Sequence, residues 1–134
     1  MVSAARRAAA VAVAALALPL LAGCGQAQEV AQGVDRARDC AAVVGELTGV
    51  NWSDVRRNAA EADQAARRLD DRLRQVDDAD VKRAGEALAD RVRQLADAAR
   101  GTDRADVQRA VDGVESAARR LATICDVPVD QVGG

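Results

Sequence analysis

The chain has 134 residues, 30% of them charged and 1% aromatic, with a formal net charge of −2 and no histidine. This length suits one small domain, and the lack of histidine removes the usual general base, the Ser-His and Cys-His dyads and most zinc sites. The mildly acidic net charge argues against nucleic acid as a partner, because phosphate binding requires a concentrated basic surface. Abundant Ala, Leu, Arg, Asp and Gln favour helix over strand.

The N-terminus has the three parts of an export signal. Arg6 and Arg7 form a short positive segment, and residues 8–21 form an apolar run. This run is shorter than the ~20 residues that cross a bilayer comfortably. It has the length of the apolar part of a signal peptide, so residues 1–23 are predicted to be one.

The signal ends in Leu21-Ala22-Gly23-Cys24, which resembles the lipobox of bacterial lipoproteins. The resemblance covers about the first 25 residues and implies diacylglycerol on the Cys24 thiol, with cleavage before it. That lipid is the only non-protein group we expect. Acyl chains contribute ~0.8 kcal/mol per buried methylene, so two or more hold a protein on a bilayer. We therefore expect an extracytoplasmic protein anchored to the cell membrane; an ordinary signal peptide with an incidental Cys24, or an uncleaved helix, are the alternatives.

A short polar segment follows the signal. Residues 24–33 are predicted to be a lipidated tether, or in part a continuation of the first helix. Without residues 1–23 the chain carries 17 basic and 21 acidic side chains, a net charge of −4. The Arg- and Ala-rich composition resembles that of proteins from GC-rich actinobacterial genomes. This composition does not identify a protein family for residues 26–134.

Four amphipathic helices are predicted in the segment 34–126, over 34–48, 52–76, 79–100 and 103–125. Their apolar residues alternate in steps of three and four, as packed helices require. Short connections make neighbouring helices antiparallel, so the fold class is all-α, a small up-down bundle of four helices. The predicted inward positions are Cys40, Val43, Leu47, Val50, Trp52, Val55, Ala59, Ala62, Ala66, Leu69, Leu73, Val76, Val81, Gly85, Leu88, Val92, Leu95, Ala99, Val107, Val111, Val114, Ala118, Leu121 and Cys125.

The predicted helix ends depend on capping residues. Asn51 or Ser53 is expected to cap the second helix, and Thr102 or Asp103 the fourth. Residues 77–80, between the second and third helices, contain neither Gly nor Pro to mark a turn. A hairpin is still favoured over one long helix, because the inward positions change register there. Pro128 ends the fourth helix, and residues 127–134 are predicted to be a loose C-terminal tail.

Two cysteines remain when Cys24 carries lipid. Cys40 and Cys125 lie on helices whose ends meet in an up-down bundle, and an exported chain occupies an oxidising compartment. They are predicted to form a structural disulfide. Two buried thiols or a redox pair are the alternatives, although no C-x-x-C motif is present.

Other residues that carry chemistry have ordinary structural interpretations. The acidic cluster Asp77, Asp78 and Asp80 lacks the glycine and spacing of a calcium loop and suits a helix start. Trp52 is expected to anchor the core rather than stack on a ligand. No catalytic or metal-binding residues are predicted.

The expected function is that of a non-catalytic, membrane-anchored helical interaction module of the cell envelope. Its partners would be the membrane, through the lipid, and another envelope protein or a wall polymer. The Ala-rich seams leave a homo-oligomer open. The alternative is an extracytoplasmic carrier or sensor that holds a small or lipidic ligand between helices, with Gly45, Gly85 and Gly113 opening the seam; we expect no enzymatic activity.

Overall fold

The computed structural model describes the backbone of residues 23–133 and the side chains of residues 31–133. The predicted signal peptide, residues 1–23, therefore lies outside the described residues except for Gly23. Five α-helices and one 3-10 turn make up this part of the chain, and it contains no strand, which confirms the predicted all-α bundle. The elements are α1 Gly23–Thr48, α2 Trp52–Arg57, α3 Ala59–Leu73, α4 Ala79–Arg100, α5 Arg104–Cys125 and the 3-10 turn Val129–Gln131.

Polar side chains cap the first turns of α2 to α5. A cap accepts a backbone N–H that has no partner inside the helix. Asn51 caps α2 and Asp103 caps α5, which resolves the two alternatives left by the sequence. Asp78 accepts the N–H groups of Asp80 and Val81 at the start of α4, and this cap makes residues 74–78 a connection between two antiparallel helices.

The prediction of one helix over residues 52–76 was wrong. Asn58 adopts extended angles (φ −133°, ψ 114°) and separates α2 from α3. Its side-chain oxygen accepts the N–H of Ala60 at 2.9 Å, a local bond that competes with continued helix. The apolar spacing contains no sign of the break, because Val55 and Ala59 keep their four-residue step across it.

The bundle is built around α4, which lies between α3 and α5 and shares its most extensive contacts with them. Arg93 pairs with Asp70, and Arg100 with Asp63, so α3 and α4 are antiparallel. Arg72 reaches Glu46 at 3.2 Å and ties α3 to α1. The segment formed by α1 and α2 packs as the fourth member of an up-down bundle with α3, α4 and α5.

Most of the predicted inward positions are buried in the core. Val50, Trp52, Ala59, Val107, Val111 and Cys125 are half-buried against it, and Ala99 is half-buried but not part of it. Buried residues include Leu47, Leu69, Leu88, Leu95 and Leu121, one or more from each long helix. Ion pairs also connect the helices, because Asp63 and Asp70 of α3 turn towards arginines of α4. Glu115 and Arg119 pair within α5 at 3.6 Å.

The C-terminal segment is not the loose tail that the sequence predicts. Val132 is fully buried, and Gly133 packs against the indole of Trp52. Gly133 has φ +130°, a conformation that side chains rarely adopt. After Asp126 ends α5 with a left-handed φ of 52°, the segment runs back between α5 and α1 and covers Trp52, which is half-buried at the edge of the core.

The first half of α1 extends beyond the bundle. The segment expected as a tether, residues 24–33, is helical backbone continuous with the rest of α1. All side chains of residues 31–38 are exposed, Val34 to 62%. We call residues 23–38 the stalk; at 1.5 Å per residue it is about 24 Å long. It leaves the bundle at the near end, which comprises residues 74–80 and Cys125, whereas residues 57–60 and 100–104 form the far end.

Candidate functional site at the junction of stalk and bundle

The predicted lipid site lies at the edge of the described chain. Leu21 and Ala22 of the predicted lipobox are outside the described residues. Gly23 and Cys24 are the first two residues of α1. The lipid attachment at Cys24 therefore stays a prediction, and what the structure adds is the helical backbone that leads from Cys24 to the bundle.

The two remaining cysteines are joined. Cys40 and Cys125 are at disulfide-bonding distance, with their Cα atoms 5.5 Å apart. Cys40 is buried in α1 just past the stalk, and Cys125 is the half-buried last residue of α5. The bond links the first and last helices of the bundle at the near end.

Two arginines of the stalk contact the acidic cluster of the near end. The Arg36 guanidinium donates to Asp78 at 3.0 Å and to Asp80 at 2.7 Å. Arg38 donates to Asp77 at 3.2 Å. The three aspartates therefore face cations of α1, and Asp78 also caps α4, as the sequence predicts for the cluster.

Asp39 is the functional candidate that the sequence analysis missed. It is 3% exposed, the one charged residue among those buried in the described chain. Its Oδ2 accepts the backbone N–H groups of Asp77 at 2.9 Å and Asp78 at 2.8 Å. Buried carboxylates need such partners. The sequence does indicate that Asp39 is buried, because it lies four residues before Val43 and thus on the inward face of α1.

The surroundings of Asp78 favour its charged form. Burial raises the pKa of this carboxyl, but the N–H of Val81, the hydrogen bond and charge of Arg36, and the N–H of Asp80 outweigh it. The net result is a pKa below the ordinary 3.8. In turn, the hydrogen bond and charge of Asp78 raise the pKa of Arg36. Asp78 and Arg36 are therefore both charged at neutral pH and form an ion pair.

The clefts of the described surface are lined mostly by charged and polar residues. One of about 300 Å³ lies at the junction, lined by Gln32, Asp35, Arg36 and residues 77–80. Another of about 520 Å³ lies at the far end, lined by Ala59, Ala60, Asp63, Gln64, Arg67 and Arg100. Within the described residues, no group of three His, Cys, Asp or Glu side chains is arranged to hold a metal ion.

The three glycines that the alternative carrier function would use to open the seam do not share one environment. A Cβ on Gly85 would come within 2.4 Å of the Leu73 side chain, so this space is filled. A Cβ on Gly113 would lie 3.3 Å from Arg91, while Gly45 faces open space on the outside of α1. Gly85 thus permits close packing of α3 on α4.

Comparison of the chain with protein-family models, with curated proteins and with solved structures finds no match in any of the three. Among the helices of residues 23–133, none is both long and apolar enough to cross a membrane.

Proposed function

We propose that this chain is a membrane-anchored cell-envelope lipoprotein that acts as a non-catalytic helical interaction module. The observation that carries the proposal is the continuity of α1. One helix runs from Gly23, next to the lipobox cysteine, into the core of the bundle. A lipid on Cys24 would therefore connect to the bundle through a helical stalk.

The direction of the stalk supports a binding role for the far end. The stalk leaves the near end, so the far end points away from the anchored cysteine. It contains the α2–α3 break and the α4–α5 turn, together with the cleft lined by Arg67 and Arg100. In this proposal the partner, an envelope protein or wall polymer, binds there. Filling of the space at Gly85 by Leu73 gives no support to a carrier with a ligand between helices.

The anchoring is tested by replacing the lipid site. We expect Cys24→Ser to move the protein from the membrane fraction to the medium, or to leave it unprocessed, because its thiol acceptor is lost. Gln26→Ser, two residues further on, is the matched control and should stay in the membrane fraction. Mutant protein of mature size that remains in the membrane would contradict the anchor.

The binding role is tested by photo-crosslinking in cells. A photoreactive amino acid at exposed Ala60 in the far end, or at exposed Ala105 in the adjoining first turn of α5, should capture the same partner. The same group at exposed Ala79, at the near end, is the matched control and should not capture it. Capture from Ala79 alone, or from none of the three positions, would contradict the interaction module as proposed.

A further inference from the structure

The stalk meets the bundle where Arg36, Arg38 and Asp39 of α1 contact the acidic segment 77–80. Arg36 and Asp39 lie three residues apart on one face of the helix and contact the connection between α3 and α4. We propose that they form a clasp that fixes the direction of the stalk relative to the bundle.

Asp39 supplies the buried half of the clasp. Its carboxylate holds the N–H groups of two successive residues, Asp77 and Asp78, which have no helical partner where α4 begins. Hydrogen bonds to a charged acceptor are stronger than neutral ones, and a buried carboxylate left without them is costly. If the α3–α4 connection separated from α1, the Asp39 carboxylate would lose both hydrogen bonds and would either be exposed to water or stay buried without a partner.

Arg36 supplies the second half, through the same residue. Asp78 uses Oδ1 to cap α4 and Oδ2 to accept the Arg36 Nε–H. The side chain that determines the start of α4 is thus held by the stalk. Arg36 is exposed, so its ion pairs alone would contribute little. Its position one turn before Asp39 gives the clasp a second contact about 4.5 Å further along the stalk.

Two contacts along one face restrict bending of the stalk towards and away from the near end. If the anchor of the proposed function holds, the far end is then presented at a set direction and height from the membrane. That consequence rests on the proposed function, whereas the clasp is a property of the protein alone.

The clasp is tested by distance measurements on the lipidated full chain in detergent. Spin labels are introduced as noncanonical amino acids at exposed Ala31 in the stalk and Glu86 in α4, and electron-electron double resonance gives the distribution of distances between them. A second pair, Gln64 and Glu86, lies wholly within the bundle and reports on its integrity.

We expect a single narrow Ala31–Glu86 distance that is lost in the double variant Asp39→Ala/Arg36→Gln, with Asp39→Ala alone having the larger single effect because it removes the acceptor of both N–H groups. The Gln64–Glu86 distance should not change. Arg83→Gln is the matched control, because Arg83 approaches Asp80 (3.9 Å) from α4 and not from the stalk. A narrow stalk distance that survives in the double variant, or one already broad in the parent, overturns the clasp. Neither result depends on whether the far end binds a partner.

Discussion

Two glycines inside helices, Gly45 and Gly85, show how surroundings decide the effect of one added methyl group. Alanine is favoured over glycine by ~1 kcal/mol within a helix. At Gly45 the methyl would meet open space, so Gly45→Ala should raise the free energy of unfolding by about 0.5–1 kcal/mol.

At Gly85 the same change should lower stability. The methyl would meet the buried Leu73 side chain, and overpacking of a filled core costs ~1–3 kcal/mol. After the gain in helix propensity, Gly85→Ala should lower the free energy of unfolding by about 1 kcal/mol. Urea denaturation of both variants measures the difference; an equal effect of the two substitutions would show that Leu73 does not limit the space at α4.

Asp78 should make stability depend on pH in the acid range. Folding lowers its pKa below 3.8, so the native state favours the carboxylate. The stabilisation is present at neutral pH and is lost as pH falls below about 3.8 through the folded-state pKa. The denaturant concentration at the midpoint of unfolding, measured between pH 2 and 6, should therefore decrease towards acid pH. The decrease should be less steep in Asp78→Asn. Asp130→Asn, in the exposed 3-10 turn, is the control; a slope that Asp78→Asn leaves unchanged contradicts this role.

At the scale of helices, the break at Asn58 should depend on its side chain. Asn58→Ala removes the acceptor for the Ala60 N–H, and loss of such a cap costs about 1 kcal/mol. Thermal unfolding should show the loss, whereas Asn58→Asp, which keeps an acceptor oxygen, should retain stability close to that of the parent. Undiminished stability of Asn58→Ala would mean that α2 and α3 can join into one helix at no cost.

The apolar spacing of the sequence was sufficient for the register of the long helices. Val43, Leu88 and Leu121 are buried where the three-and-four pattern predicts them. The same pattern could not show the break at Asn58, since it records which side chains face inward and not the backbone angles between them. Nor could it give the length of the stalk, because residues 31–38 are exposed on all sides and have no inward face to detect.

The junction was predictable only in part. Pairing of Cys40 with Cys125 follows from the helix order. The hydrogen bonds of Asp39 to the α3–α4 connection could not be predicted, because its partners are backbone N–H groups nearly forty positions away. A hydrogen bond to a backbone N–H does not require a particular residue type, so the sequence of the partner segment does not reveal it.

At the scale of the whole molecule, the disulfide should contribute a large part of the stability. It closes a loop across a sequence separation of 85 residues, which the chain-entropy model values at about 4.5 kcal/mol. Reduction should lower the melting temperature by roughly 15–30 °C for a domain of this size. Calorimetry with and without phosphine reductant measures this.

The double variant Cys40→Ser/Cys125→Ser serves as the control for the disulfide, since it should melt like the reduced protein and ignore reductant. A parent protein whose melting temperature is the same in both conditions, and equal to that of the double variant, would show that the bond does not constrain the unfolded chain.

The position of the disulfide also determines how the molecule bears mechanical load. A pull on the N-terminal end of α1 travels along the stalk and reaches Cys40 one residue after Asp39. There the tension divides, because a covalent bond leads into the end of α5 while the main chain leads on towards α2. Traction would therefore act on the first and last helices together, and α1 could not be peeled from α5 at this point while the bond is intact.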